Sequence, residues 1–216
     1  IEEVPAPKMT AGNVRIAIKA AGVNFADTLI IKGEYQVRPP FPFAPGLEVA
    51  GEIIEVAPDI SKFKLGDRVM AMTGHGGFAT EAVTNAHNLI KIPEKMAYIE
   101  AAGFPSVYGT SHIGLVHKLK LQAGETLLVH GAAGGVGLSA VAIGKKLGAT
   151  VIATAGSPEK LEVARQYGAD YLIDYRTEEI RERVKQMTDG RGADAVFDPV
   201  GGSAFDATLR CTTQRG

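Results

Sequence analysis

The segment Leu127-Leu128-Val129-His130-Gly131-Ala132-Ala133-Gly134-Gly135-Val136-Gly137 has the residue types and spacing to hold an anion. A short apolar run followed by clustered glycines and then a helical pattern reads as strand, turn and helix, the setting a dinucleotide fingerprint needs. Gly134 lets backbone approach a pyrophosphate, and Gly137 lets the helix pack closely on the strand. The N–H groups of Gly135, Val136 and Gly137 fall at the positive end of the helix dipole, where an anion is favoured. Ala133 through Gly137 are therefore the expected cofactor-binding turn. Ala132 stands where the fingerprint has its first glycine. A turn used only for helix–strand packing is the competing explanation.

The following strand selects the nucleotide. An NAD site carries an acidic residue about 20 residues on, bonding the ribose 2′-hydroxyl. Here the strand ends Ala153-Thr154-Ala155-Gly156-Ser157, and no carboxylate occurs before Glu159. Small residues leave room for a 2′-phosphate, to which Ser157 and Lys160 can donate, with Tyr175 and Arg176 closing the same pocket. The expected cofactor is NADP(H). Taken singly, Ser157 is also a plain helix N-cap and Lys160 a solvated lysine, so the combination carries the reading.

The elements that position these residues follow from the pattern of the 216-residue chain. Residues 1–93 are rich in Gly, Pro and short alternating runs, with Val14, Ile16 and Ile18 marking a half-buried strand. Further strands are predicted at 48–56, 67–72, 78–84 and 89–92, and a helix over 25–32 ending at Gly33. Many short strands with irregular turns predict a small β-barrel or sandwich. From about residue 98 the period changes. A helical stretch over 97–116, interrupted at Pro105, leads into strands at 126–130, 150–154, 171–173 and 193–197. Helices over 136–147, 157–167, 178–187 and 203–209 separate or follow them. This alternation predicts a parallel sheet with helices on both faces. Four strands are counted where a nucleotide-binding sheet normally has six, so the chain is expected to be part of something longer.

Composition narrows the function. Lys plus Arg number 23 against 24 Asp plus Glu, giving a net charge of -1. That balance disfavours duplex nucleic acid as the main partner. The single cysteine permits no intrachain disulfide and no Cys-based zinc site, which fits a reducing cytoplasm. Residues 126–144 carry no Asp, Glu, Lys or Arg, though they include His130. Their glycines and small apolar residues nevertheless read as a buried strand, turn and helix, so no membrane association is expected.

The chain resembles the zinc-independent quinone oxidoreductases of the medium-chain dehydrogenase/reductase superfamily, the ζ-crystallin type. Three stretches carry the resemblance: Ala21-Gly22-Val23-Asn24-Phe25-Ala26-Asp27 running on to Gly33-Glu34-Tyr35; Pro45-Gly46-Leu47-Glu48-Val49-Ala50-Gly51 followed by Gly66-Asp67-Arg68-Val69; and Gly124 through Lys145. The third departs at Ala142, where the family usually has Gln. The resemblance implies an α/β protein with a β-rich GroES-like catalytic domain over residues 1–97, incomplete at its N-terminal end. It implies a Rossmann NADP-binding domain with a parallel sheet over 98–216, lacking its last strands. It also implies a homodimer formed through that absent region.

Zinc alcohol dehydrogenases of the superfamily place Cys where Asn24 stands and His where Leu47 stands, and neither Asn nor Leu is a usual ligand, so no metal is expected. By the resemblance, Asn24 and Tyr35 line the substrate cleft as the catalytic residues. The Asn24 amide can orient substrate, and the Tyr35 phenol can bond a quinone oxygen or supply a proton. Some relatives carry a second Tyr at the position of Leu29. Thr110 is assigned to the nicotinamide carboxamide. The implied reaction is zinc-free hydride transfer from NADPH to a quinone or other conjugated carbonyl. The alternatives are an enoyl thioester reductase module of a larger synthase and a non-catalytic NADPH-binding protein.

Overall fold

The strand β1 (Asn13–Gly22) forms where apolar residues alternate, and Val14 and Ile16 are wholly buried. It lies inside an antiparallel five-stranded sheet of order β4-β1-β2-β3-β5. The other strands are β2 (Glu48–Val56), β3 (Arg68–Met72), β4 (Glu81–Asn85) and β5 (Leu89–Lys91). One face of this sheet packs Val14, Ile16, Val49, Ile53, Val69, Ala71 and Leu89 with Phe63. The alternate residues Ala50 and Met70 face the other way, against Ala101 and Ala102 of α2 (Tyr98–Ala102). Helix α1 (Phe25–Lys32) follows β1 and ends at Gly33.

This computed structural model describes residues 3–213, so the outermost residues of the two expected domains, 1–2 and 214–216, lie outside the described residues. The pairing among the described residues is one open sheet rather than the closed barrel or sandwich expected. Strand β4 also starts later than residue 78. The Phe78 N–H donates to Pro45 O at 2.8 Å and the Gly77 N–H to Gly46 O at 3.0 Å, which ties these residues to a turn instead of the ladder.

The chain divides into two units, the first ending at Ser106 and the second starting at Val107. The change from strands to helices at residue 98 precedes that division because α2 packs on the first sheet. The interruption expected at Pro105 falls instead at Gly103, between α2 and α3 (Phe104–His112). Pro105 sits in the first turn of α3, where its missing N–H costs nothing. A π-helical turn, Ile113–Lys118, continues α3.

The second unit is a parallel sheet of order β8-β7-β6-β9. Its strands are β6 (Thr126–Val129), β7 (Thr150–Ala155), β8 (Tyr171–Asp174) and β9 (Ala195–Phe197). Its helices are α4 (Gly135–Lys146), α5 (Pro158–Gln166), α6 (Ile180–Met187) and α7 (Ser203–Thr208). Strand periodicity divides the core. Leu127, Val129, Val151 and Ala153 pack with Ala140 and Val141 of α4 and Ala164 of α5. Leu128, Ile152 and Ile173 pack with Ile180 and Val184 of α6 on the opposite face. Helices thus cover both faces. The uncharged stretch 126–144 resolves into β6, a turn and α4, and no helix among the described residues is long and apolar enough to cross a membrane.

Candidate functional site

Asn24 stands between β1 and α1, in extended conformation at the helix N-cap. The Asp27 carboxylate accepts the Asn24 backbone N–H at 2.8 Å through Oδ2, and the Gly46 N–H at 3.2 Å through Oδ1. Through Nδ2 the Asn24 side chain turns to β2. That nitrogen donates to Glu48 Oε1 at 2.8 Å. The other oxygen, Glu48 Oε2, accepts the Ser106 N–H at 2.8 Å. Glu48 is 1% exposed and Asp27 2%. Burial pushes the Glu48 carboxyl above its usual value; the bonds from Asn24 and Ser106 hold it down, and the Asp27 charge adds to the rise. Room for the carboxylate comes from Gly22, its cross-strand partner, where a Cβ would collide with Glu48 Oε1 and lie 2.7 Å from both Glu48 Cγ and Ala102 O.

Tyr35 is half-buried, two residues past Gly33 and so at the opposite end of α1 from Asn24. Eight helical residues span about 12 Å. Phe41 and Phe43 pack on each other with ring centroids 5.1 Å apart. Among the described residues, no group of three or more His, Cys, Asp or Glu is placed to hold a metal ion.

In the second unit, the expected turn follows β6 and opens α4. The Gly134 N–H donates to Gly131 O at 3.0 Å, and the first helical bond runs from Leu138 N–H to Gly134 O at 2.8 Å. The N–H groups of Gly135, Val136 and Gly137 therefore precede the intrahelical ladder and have no acceptor among the described residues. The two key glycines differ. A Cβ on Gly137 would collide with Gly131 O and lie 2.8 Å from Ala132 Cα, whereas on Gly134 its nearest neighbour is Gly131 O at 3.4 Å. Gly137 serves packing; Gly134 keeps a space open. Ala133 is half-buried, and Ala132 is fully buried with its N–H on Thr154 O at 3.0 Å.

At the end of β7, Ser157 caps α5 and accepts the Lys160 N–H at 3.3 Å. The neighbouring Ser157 hydroxyl holds the exposed Glu159 carboxyl below its usual value, helped by the Arg176 charge. The Tyr175 ring lies on Gly156, where a Cβ would come within 2.5 Å of the phenolic oxygen. Ser157, Tyr175 and Arg176 are gathered at one edge, with the exposed Lys160 in the first turn of α5.

Thr110 is exposed on α3. Its neighbour Ser111 reaches the helix that follows the glycine turn, donating to Val136 O at 2.8 Å and lying 2.8 Å from the Ser139 hydroxyl. Sequence reasoning passed over this pair, as it did the partners of His130. That imidazole is 1% exposed, with Nδ1 3.0 Å from Thr154 Oγ1 and Nε2 2.7 Å from Thr208 Oγ1. Since the Thr208 hydroxyl donates to Ala204 O at 2.9 Å, Nε2 carries the proton. Burial holds His130 below its usual value, against the pull of the Asp198 charge. The π-turn brings His112 and His117 together with ring centroids 5.5 Å apart, a pairing that no search at i, i+4 finds.

Known proteins agree with these two units. Residues 10–94 match the family described as alcohol dehydrogenase GroES-like domain, and residues 135–216 the family described as zinc-binding dehydrogenase. Quinone oxidoreductase-like protein 2 of Bos taurus is 41% identical over 217 residues, covering 100% of this chain and 62% of its own length. A probable oxidoreductase from Mycobacterium abscessus superposes with a TM-score of 0.90 at 37% identity, over 99% of this chain and 67% of that one. The quinone oxidoreductase of Escherichia coli, solved with NADPH, superposes with a TM-score of 0.89 at 33% identity, over 100% of this chain and 66% of that one. The chain therefore spans 62% of the length of its bovine relative. It belongs to the quinone oxidoreductase family of the medium-chain dehydrogenase/reductase superfamily.

Proposed function

We propose that the protein is an NADPH-dependent oxidoreductase that delivers hydride to a quinone or other conjugated carbonyl without zinc. The observation that carries this reading is the turn at Gly134, where a missing side chain meets three N–H groups that have no acceptor among the described residues. Those groups suit a pyrophosphate. Lys160, Arg176 and Tyr175 would hold a 2′-phosphate, supported by a β7 end that carries no carboxylate to bond a 2′-hydroxyl. The Ser157 hydroxyl would join them. NADPH, when bound, supplies the hydride.

The first unit's residues act on the acceptor. One Nδ2 hydrogen of Asn24 is held by Glu48, and the second has no acceptor among the described residues. We assign that hydrogen to the carbonyl oxygen, where negative charge develops as hydride arrives. Tyr35 donates to the other oxygen or passes it one proton, regained from water, so one hydride and one proton in total, with enolisation of any hydrogen delivered to ring carbon, complete a hydroquinone. Zinc independence is supported by the donor set, since the amide of Asn24 and the alkyl chain of Leu47 are not zinc ligands. Thr110 is kept as the carboxamide partner.

Paired fluorescence titrations with NADPH and NADH, followed by turnover of 1,4-benzoquinone and of an enoyl thioester, test the proposal. Tighter NADPH binding with quinone turnover is expected. Binding without turnover of either acceptor would favour a non-catalytic NADPH-binding protein, and turnover of the thioester alone an enoyl reductase. Tyr35→Phe is expected to lower turnover with NADPH affinity unchanged.

A further inference from the structure

We propose that Glu48 is a positioning residue that fixes which end of the Asn24 amide faces the acceptor. The inference rests on the functional reading above and goes beyond it, because Glu48 touches no acceptor itself. An Asn side chain has a carbonyl and an amide end of nearly equal size, so shape alone does not choose between them. Glu48 makes the choice. Its carboxylate is an acceptor only, its Oε1 lies 2.8 Å from Nδ2, and its Oε2 is occupied by the Ser106 N–H. The nitrogen is thereby pinned toward β2, with its second hydrogen left over.

The surroundings are built for this carboxylate. Gly22 leaves room for it, since any side chain there would overlap Oε1. The Glu48–Gly22 pairing in the β1–β2 ladder sets the height of the carboxylate beside the β1–α1 turn. Asp27 holds the backbone of the same turn from the other side by taking the Asn24 N–H, and ties it to Gly46, two residues before Glu48. Both backbone and amide of Asn24 are thus fixed by buried carboxylates. Burying two such groups is unfavourable unless each is hydrogen-bonded, and here all four oxygens accept a hydrogen bond.

Glu48→Gln changes the logic without changing the shape. With the new Oε1 accepting from Ser106, the new Nε2 donates, so the Asn24 amide must turn its oxygen toward β2. In the full chain, Glu48→Gln is expected to lower kcat with 1,4-benzoquinone about tenfold or more, with NADPH Kd within about twofold of wild type. On an Asn24→Ala background the same change should have no further effect on kcat.

Asn24→Asp puts two carboxylates face to face and should lower Tm. Glu48→Gln added to it re-forms one hydrogen bond of reversed polarity and should recover Tm but not kcat. Recovery of kcat together with Tm would reduce Glu48 to a structural role and overturn the proposal. So would an undiminished kcat in Glu48→Gln, or an equal loss on the Asn24→Ala background. A readout free of catalysis separates this inference from the functional reading. The side-chain 15N amide signal of Asn24 should show one hydrogen shifted and slow to exchange, and Glu48→Gln should abolish that asymmetry. An unchanged signal overturns the positioning role, even in a protein that reduces no quinone.

Discussion

Around Asn24 the first unit works with side chains held by buried carboxylates, whereas around Gly134 the second works with bare backbone. In the first, Glu48 and Asp27 are sealed from water and every oxygen has a donor. In the second, three N–H groups have no partner among the described residues and a side chain is omitted where a Cβ would meet only ordinary contact. A group that must aim at one atom of a small acceptor needs rigid support. A cradle for a phosphate needs space and a positive end, and the partner is supplied by the ligand.

Substitutions at the two glycines of the turn break this contrast most sharply. Gly137→Val drives a side chain into the backbone of Gly131 and Ala132, and is expected to cost about 3 kcal/mol or more by urea unfolding. Gly134→Val places its Cβ at ordinary contact distance, 3.4 Å from Gly131 O, so stability should stay within about 1 kcal/mol of wild type. NADPH affinity should nevertheless fall about a hundredfold or more by fluorescence titration. Equal effects at both positions would erase the division between packing and cradle.

Lys160→Ala should weaken NADPH about tenfold and NADH hardly at all, the loss of one charge-assisted bond. Equal weakening of both would remove the phosphate role.

The smallest expected effect compares two buried ionisable groups, one in each unit. His130 is depressed below the ordinary value of 6.5 in the fold, so the unfolded chain binds more protons near that pH. Its contribution to stability is present above 6.5 and falls away as the pH drops through 6.5 toward the folded value. Glu48 is raised above 4.5, so its contribution is present below 4.5 and fades as the pH rises through the folded value. Unfolding followed from pH 7.5 to 5.5 should show the second unit weakening, and His130→Asn should flatten that slope.

The parts of this molecule written in local pattern were legible beforehand. Residues 48–56 and 25–32 read correctly as strand and helix because their apolar spacing and the terminal Gly33 are short-range signals. The glycine turn was legible for the same reason, since its chemistry lies in the residues that spell it. The helix break was misread because Pro105 suits a first turn as well as an interruption. The role of Glu48 was not legible at all. Its donors come from 24 residues upstream and 58 downstream, and only the β1–β2 register and the path of the chain into α3 bring them together. His112 and His117 met through a π-turn, a geometry that no periodicity count anticipates. Asn24 and Tyr35 entered through resemblance, and the structure adds partners for the first.

The missing side chain at Gly22 also predicts a pattern of inheritance. Because the Cβ of any other residue would overlap the carboxylate of Glu48 and crowd the Ala102 carbonyl, position 22 can enlarge only where position 48 shortens and the backbone of α2 gives way. Across related chains, a larger residue at the first position should travel with a shorter one at the second. Lineages that lost the acid should be the ones in which the glycine has drifted.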